Sequence, residues 1–108
     1  MLRALLREGN LLACCAINIT EIYAGMRPHE KARSEGFLSS LDYFDITRDV
    51  AAIAGQLKND WSAKGVSLSV SDVLVAAVAL CYKLTLITDN IKHYPMAELI
   101  LLAPPTPP

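Results

Sequence analysis

The feature that most constrains the fold is a run of nine apolar residues, 73–81, that directly follows Asp72. A helix over this run is apolar on every side, so we expect it to lie deep in a core. Asp72 lies in its first turn, where free backbone amides and the helix dipole favour an anion. Ser69, three residues earlier, fits a capping box. The run predicts a buried helix beginning beside a carboxylate, and taken alone Asp72 is most simply a capping residue.

The length and composition indicate one small domain. The chain has 108 residues, of which 53% are hydrophobic, and a formal charge of −1. We assign residues 1–103 to the domain and residues 104–108, PPTPP, to an extended proline-rich tail that cannot join a core. The apolar share indicates buried helices or a surface covered by a partner. The charge excludes a binder held to nucleic acid by bulk positive charge, yet leaves open an enzyme that reaches RNA through metal ions.

The cysteines point to a reducing compartment. Cys14, Cys15 and Cys81 are odd in number, lack metal-ligand spacing and each lie in an apolar run. We therefore expect reduced, buried thiols in a cytoplasmic protein. The longest apolar runs are too short to cross a bilayer, so no membrane contact is expected.

Short apolar runs alternate with helical patterns along the chain. Residues 1–7 predict the end of a helix that stops at Gly9, and Asn18 is a predicted N-cap with Glu21 three residues later. Thr47 is the predicted cap of an amphipathic helix that ends at residues 64–65. Further helices are predicted at 18–26 and 29–41, and strands at 11–17, 43–46, 84–87 and 99–102. This order favours a three-layer α/β sandwich with a short parallel sheet over a helical bundle.

Three carboxylates occupy similar local settings. Glu21 and Asp89 each follow a buried strand, and Asp72 opens the buried helix. Because the carboxyl ends of parallel strands share one edge of a sheet, the fold can bring them together. Clustered carboxylates repel one another, and Mg²⁺ or Mn²⁺ supplies the charge they lack. Such an ion can activate water for phosphodiester cleavage. The simpler interpretation is capping for Glu21 and Asp72, and a turn for Asp89 with Asn90.

Two other groups border the proposed site. His93 is favoured as a helix-start or packing residue, because one imidazole makes no catalytic triad here. Arg27, Lys31 and Arg33 can either contact RNA phosphates or form a solvated helix face.

Three segments resemble motifs of the PIN-domain ribonucleases and occur in the same order. Residues 18–26, NITEIYAGM, resemble the family pattern ITxxEL.xG. Residues 71–80, SDVLVAAVAL, are similar to the helix motif DxLIAAxA, and residues 84–94, LTLITDNIKHY, to the strand and turn LvTxNxxHF. Together they cover nearly the whole chain before the proline tail.

The resemblance is strongest to small toxins of the VapC type. It implies a PIN-like α/β/α sandwich and an endoribonuclease that uses Mg²⁺ or Mn²⁺ to cleave RNA. It also implies a VapB-type antitoxin partner and, usually, a homodimer. Carried over by position, Glu21 and Asp72 would be metal-binding catalytic acids. The third acidic place falls on Asp89 or on the neighbouring metal ligand Asn90, and the resemblance does not distinguish them.

One departure from the family pattern affects the expected activity. PIN domains open with a strand ending in an aspartate, and none precedes Glu21 here. Residues 1–3 instead resemble the middle of the pattern, so we expect the first strand to be missing. The alternative to a ribonuclease is therefore a catalytically incomplete PIN-like module that binds an antitoxin or a partner toxin subunit.

Overall fold

The computed structural model describes residues 4–104 of the chain. Within this range five strands form one sheet, and four α-helices accompany it. There are also two short 3-10 turns: Pro28–Glu30 directly precedes the second helix, and Ile91–His93 follows the fourth strand. The strands are β1 Ala4–Glu8, β2 Leu11–Cys14, β3 Asp42–Tyr43, β4 Thr85–Thr88 and β5 Ile100–Leu102, and the helices are α1 Ala16–Gly25, α2 Lys31–Ser39, α3 Arg48–Ala63 and α4 Val70–Tyr82.

The sheet is mixed, with the strand order β3-β2-β1-β4-β5. Strand β1 lies at the centre and runs antiparallel to both neighbours, β2 and β4. The outer pairs, β2 with β3 and β4 with β5, are parallel. Four strands therefore share one direction and only the central strand is reversed. The predicted α/β class is confirmed, and the expected parallel sheet is corrected to a mixed one.

The predicted helix at the start of the chain is wrong for the residues described. Residues 4–8 form the central strand, and the remainder of that prediction, residues 1–3, lies outside the described range. Leu6 is fully buried and pairs with Ala13 on one side and Leu86 on the other. Gly9 has φ +58° and turns the chain between β1 and β2. Burial at the sheet centre thus overrides local helical spacing.

The first helix begins three residues earlier than predicted. Its N-cap is Cys15, whereas Asn18 lies inside the first turn and is buried. The Asn18 Oδ1 atom accepts a 2.8 Å hydrogen bond from the Cys15 backbone N–H, and Nδ2 donates a 3.0 Å bond to the Ala4 carbonyl oxygen. The Asn18 amide thus satisfies the backbone N–H of the N-cap residue and links the start of the helix to the central strand by a hydrogen bond.

The other two long helices begin where the sequence predicts. The Thr47 hydroxyl accepts from the Val50 N–H at the start of α3, and the Ser69 hydroxyl accepts from the Asp72 N–H at the start of α4. α4 packs against α3 and forms the centre of the core. Its buried residues are Val73, Val75, Ala76, Ala77, Val78 and Ala79. The prediction of a helix deep in the core is therefore confirmed.

Smaller differences concern the surface. The helix predicted at 29–41 begins as α2 only at Lys31, after the 3-10 turn at Pro28–Glu30. Cys14 and Cys15 are buried as expected, but Cys81 is exposed. Among residues 4–104, no helix combines the length and the apolar character that a bilayer span requires.

Candidate functional site

The candidate site lies at the edge where the four co-directional strands end. α1 follows β2 at this edge, and residues 89–94 follow β4. The start of α4 meets the same segment, because Asp72 contacts His93 and Tyr94. Ala4, at the start of the reversed strand, pairs with Thr88 at the end of β4 and so lies at this edge too. Three of the predicted site segments therefore face one region of the fold.

Asp72 is held by contacts from two directions. Its backbone N–H donates a 3.1 Å hydrogen bond to the Ser69 hydroxyl. Its Oδ1 atom accepts a 3.1 Å bond from the Tyr94 hydroxyl, and its Oδ2 atom lies 3.4 Å from Nδ1 of His93. The Asp72 side chain is 18% exposed, whereas that of His93 is 52% exposed. A carboxylate in this setting can attract a cation or accept a proton.

Glu21 lies on α1 and lines a cavity of about 260 Å³. The cavity is bordered by α1 and by the segment that contains α2. Its other lining residues combine apolar and charged side chains: Ile22, Gly25, Met26, Glu30, Arg33, Ser34 and Phe37. The carboxylate of Glu21 also influences the pKa of a buried thiol, that of Cys15. Burial raises the pKa of Cys15, and backbone N–H donors at residues 17 and 18 oppose this rise. The negative charge of Glu21 raises the Cys15 pKa further.

Asp89 and Asn90 form the turn that follows β4. Asp89 is exposed and lies at a bend. The Asn90 backbone N–H donates a 3.0 Å hydrogen bond to the Thr88 hydroxyl, which closes the turn. Asn90 also precedes the 3-10 turn that leads to His93. The local geometry of this pair is thus that of a turn, as their sequence alone allows.

The described residues do not provide a ready metal site. Across residues 4–104, no group of three or more His, Cys, Asp or Glu side chains is arranged to hold a metal ion. Glu21, Asp72 and Asp89 are therefore not gathered into the expected set of ligands. Instead, the Asp72 carboxylate is engaged by a hydroxyl and an imidazole. Because the described acids form no such cluster, we derive no chemical step through a metal, and the metal-binding and catalytic roles of these acids stay predictions.

The reversed central strand gives a physical reason for the incomplete donor set. In an open parallel sheet, the carboxyl end of a central strand contributes a side chain to the crevice. Here the carboxyl end of β1 is Glu8, at the opposite edge, beside the turn at Gly9. At the candidate edge the strand contributes Ala4, whose carbonyl oxygen is used by Asn18. The centre of the edge therefore carries no acidic side chain from β1.

Comparison with known proteins identifies the family. The sequence model described as the PIN domain matches residues 2–99. This chain belongs to the PIN-domain family. Ribonuclease VapC19 of Mycobacterium tuberculosis is 31% identical over 96 residues, which span 89% of this chain and 77% of that protein. Ribonuclease VapC2 of Rickettsia felis is 28% identical over 95 residues, spanning 83% of this chain and 71% of that one. The PIN domain described here is of the VapC type.

Solved structures confirm the fold of this PIN domain. The VapBC2 complex of Rickettsia felis, bound to a DNA fragment from its promoter, contains a chain with a TM-score of 0.74 and 26% identity, covering 88% of this chain and 76% of that one. DNA-bound VapBC of Salmonella typhimurium gives a TM-score of 0.69 at 23% identity, covering 82% and 72% of the two chains. At that lower identity the second match supports the fold alone.

Two residues at the site of this PIN domain were not predicted as functional. Sequence reasoning favoured packing or helix capping for His93 and did not single out Tyr94. The available signal was their position directly after the Asp89-Asn90 turn, in the segment that resembles a PIN motif. Their contacts with Asp72 depend on how β4 packs beside α4, which local sequence patterns do not specify.

Proposed function

We propose that this PIN domain is an endoribonuclease of the VapC toxin type that cleaves RNA phosphodiester bonds in the cytoplasm. The observation that carries the proposal is the setting of Asp72 in a chain of this family. Its carboxylate is partly exposed at the end of a buried helix and meets the segment after β4. In this proposal Asp72 is the central catalytic acid, with Glu21 and Asp89 as further acids of the same site.

A requirement for Mg²⁺ or Mn²⁺ belongs to the proposal and rests on the family resemblance. Glu21, Asp72, Asp89 and Asn90 are the proposed ligands. Such an ion would supply water activation and stabilisation of the leaving oxygen. Because residues 4–104 contain no ready cluster of three acidic or imidazole ligands, the metal requirement is a separate claim from RNA cleavage and needs its own measurement.

The proposed partners follow from the related complexes. The solved neighbour from Rickettsia felis is a VapBC2 assembly bound to a DNA fragment from its promoter. By analogy, we propose that this chain pairs with a VapB-type antitoxin. From the family resemblance we also propose a homodimer. Any contact with DNA in such an assembly belongs to the complex and is not assigned to this chain, whose formal charge is −1.

Cleavage of a mixed-sequence RNA by the purified protein tests the proposal. We expect cleavage in Mg²⁺ or Mn²⁺, loss of cleavage in EDTA, and recovery when the ion is returned in excess. Cleavage that continues in EDTA would retain the ribonuclease and reject the metal requirement. A folded protein that cleaves no RNA in either ion would contradict the ribonuclease proposal for this chain.

A second candidate is a catalytically incomplete PIN-like module that captures an antitoxin or a partner toxin subunit. The specific observation in its favour is that no metal-holding acid cluster is found in the described part of the chain. This module would form a stable complex with a co-expressed VapB-type protein, or with itself, and would cut no RNA. Size-exclusion chromatography with light scattering that finds a lone monomer in both experiments would count against it.

A further inference from the structure

The buried tyrosine beside Asp72 has a role that the family assignment does not specify. We propose that Tyr94 is a positioning residue that fixes the orientation of the Asp72 carboxylate for RNA cleavage. This inference rests on the proposed function, since it concerns the same acid. It adds a residue that contacts the acid through a hydrogen bond and need not touch the RNA.

The Tyr94 ring is anchored in the core. The residue is 4% exposed and belongs to the main hydrophobic cluster. Its backbone N–H donates a 3.0 Å hydrogen bond to the Ile91 carbonyl oxygen, which closes the 3-10 turn before it. A tyrosine side chain has only two torsions that place its hydroxyl, so a packed ring fixes the position of that oxygen. The hydroxyl is therefore a rigid donor at the edge of the core.

Asp72 receives that donor in a setting that is already constrained. Ser69 caps its backbone N–H, which fixes the start of the helix. The Tyr94 hydroxyl then binds Oδ1 at 3.1 Å, and His93 lies on the Oδ2 side at 3.4 Å. Tyr94 is buried, whereas the His93 side chain is 52% exposed. Tyr94 thus holds Oδ1 from the core, and Oδ2 faces the imidazole of His93.

The same hydrogen bond also connects two elements, the start of α4 and the segment after β4. A role limited to this structural connection would change stability without changing the chemistry. Orienting the acid would instead change turnover while RNA binding stays the same, because the hydroxyl acts through Asp72. Residues that hydrogen-bond metal-ligating side chains, as Asp72 is proposed to be, typically account for about 10–100-fold in metal affinity or activity. The two roles therefore differ in their effect on kcat.

The test compares Tyr94→Phe with Tyr82→Phe. Each variant keeps its ring and loses one hydroxyl, and the Tyr82 hydroxyl donates a 2.9 Å bond to the Asp45 carbonyl oxygen away from Asp72. For Tyr94→Phe we expect kcat to fall about 10-fold while KM for RNA stays within about twofold. Tyr82→Phe should keep the wild-type kcat. Thermal unfolding of both variants gives the loss of stability that accompanies each missing hydrogen bond.

A second readout does not depend on activity. The ¹³C NMR resonance of the Asp72 carboxyl group should shift in Tyr94→Phe and stay in place in Tyr82→Phe. If the wild-type protein cuts no RNA, the proposed function fails, and the carboxyl resonance alone decides whether Tyr94 orients Asp72. An unmoved resonance in Tyr94→Phe, or an unchanged kcat in an active protein, would overturn the inference.

Discussion

Nδ2 of Asn18 donates a 3.0 Å hydrogen bond to the carbonyl oxygen of Ala4, and so joins the first helix to the central strand. The same amide accepts from the Cys15 backbone N–H at 2.8 Å through Oδ1. Asn18 is only 1% exposed, so water does not replace these partners. One buried side chain therefore sets where α1 begins relative to β1, and with it the placement of Glu21, which lies three residues after Asn18 on the same helix.

Replacing Asn18 with alanine should be strongly destabilising. The change leaves the Cys15 N–H and the Ala4 carbonyl without their side-chain partner, and each buried unsatisfied group costs about 1–3 kcal/mol. We expect a loss of about 2–4 kcal/mol in the free energy of unfolding, measured by urea denaturation. The control is Asn59→Ala on the exposed side of α3, which should change stability by less than about 0.5 kcal/mol. Equal effects of the two changes would contradict the role given to Asn18.

The turn between β1 and β2 should resist substitution at Gly9. Its φ of +58° is costly for a residue with a side chain, although an added Cβ would meet no atom within 4 Å. We expect Gly9→Ala to cost about 1 kcal/mol. Gly36→Ala places a methyl in equally open space inside α2, where alanine is favoured, and should stabilise by up to about 1 kcal/mol. The two variants should move the midpoint of thermal unfolding in opposite directions, and a shift of the same sign would argue against the tight turn at Gly9 between β1 and β2.

Stability should fall in mild alkali because of two adjacent buried thiols, Cys14 and Cys15. Burial raises the pKa of both Cys14 and Cys15, so the folded protein keeps thiol protons that the unfolded chain releases. The unfolded state then binds fewer protons, and the free energy of unfolding falls as the pH rises above about 8.5. Denaturant unfolding between pH 7 and 9.5 measures this slope. Cys15→Ala should flatten it, whereas Cys81→Ala, at an exposed position, should not. Identical slopes in all three proteins would exclude the buried thiols as the cause.

Much of the fold is predictable from local sequence. The exceptions arise where contacts between residues far apart in the sequence decide the structure. The caps at Thr47 and Ser69 and the buried α4 follow from residues within a few positions of one another, and all three predictions are confirmed. Residues 4–8 form a strand because they pair with neighbouring strands; Leu6, for example, pairs with Leu86, eighty positions further along the chain. No local sequence pattern contains that information.

Local sequence likewise predicts only part of the candidate site. The Asp72 position at the mouth of a buried helix is evident from its neighbours in sequence. Its contacts with His93 and Tyr94 depend on the packing of α4 beside β4, as does the failure of the described acids to form one cluster. The family was recognisable from the three ordered segments, and the PIN-domain match over residues 2–99 confirms it.

RNA cleavage by Asp72→Asn, measured beside Asp49→Asn, tests the central claim most directly. Asp49 also lies in the first turn of a helix, so its variant loses the same kind of interaction with a helix start, but on α3. The assay is cleavage of a mixed-sequence RNA in Mn²⁺, with the wild-type protein as reference and both variants shown to be folded. We predict that kcat/KM falls by at least about 100-fold in Asp72→Asn. Asp49→Asn should keep the wild-type activity. Full activity in Asp72→Asn, or an equal loss in both variants, would contradict the assignment of Asp72 as the central acid.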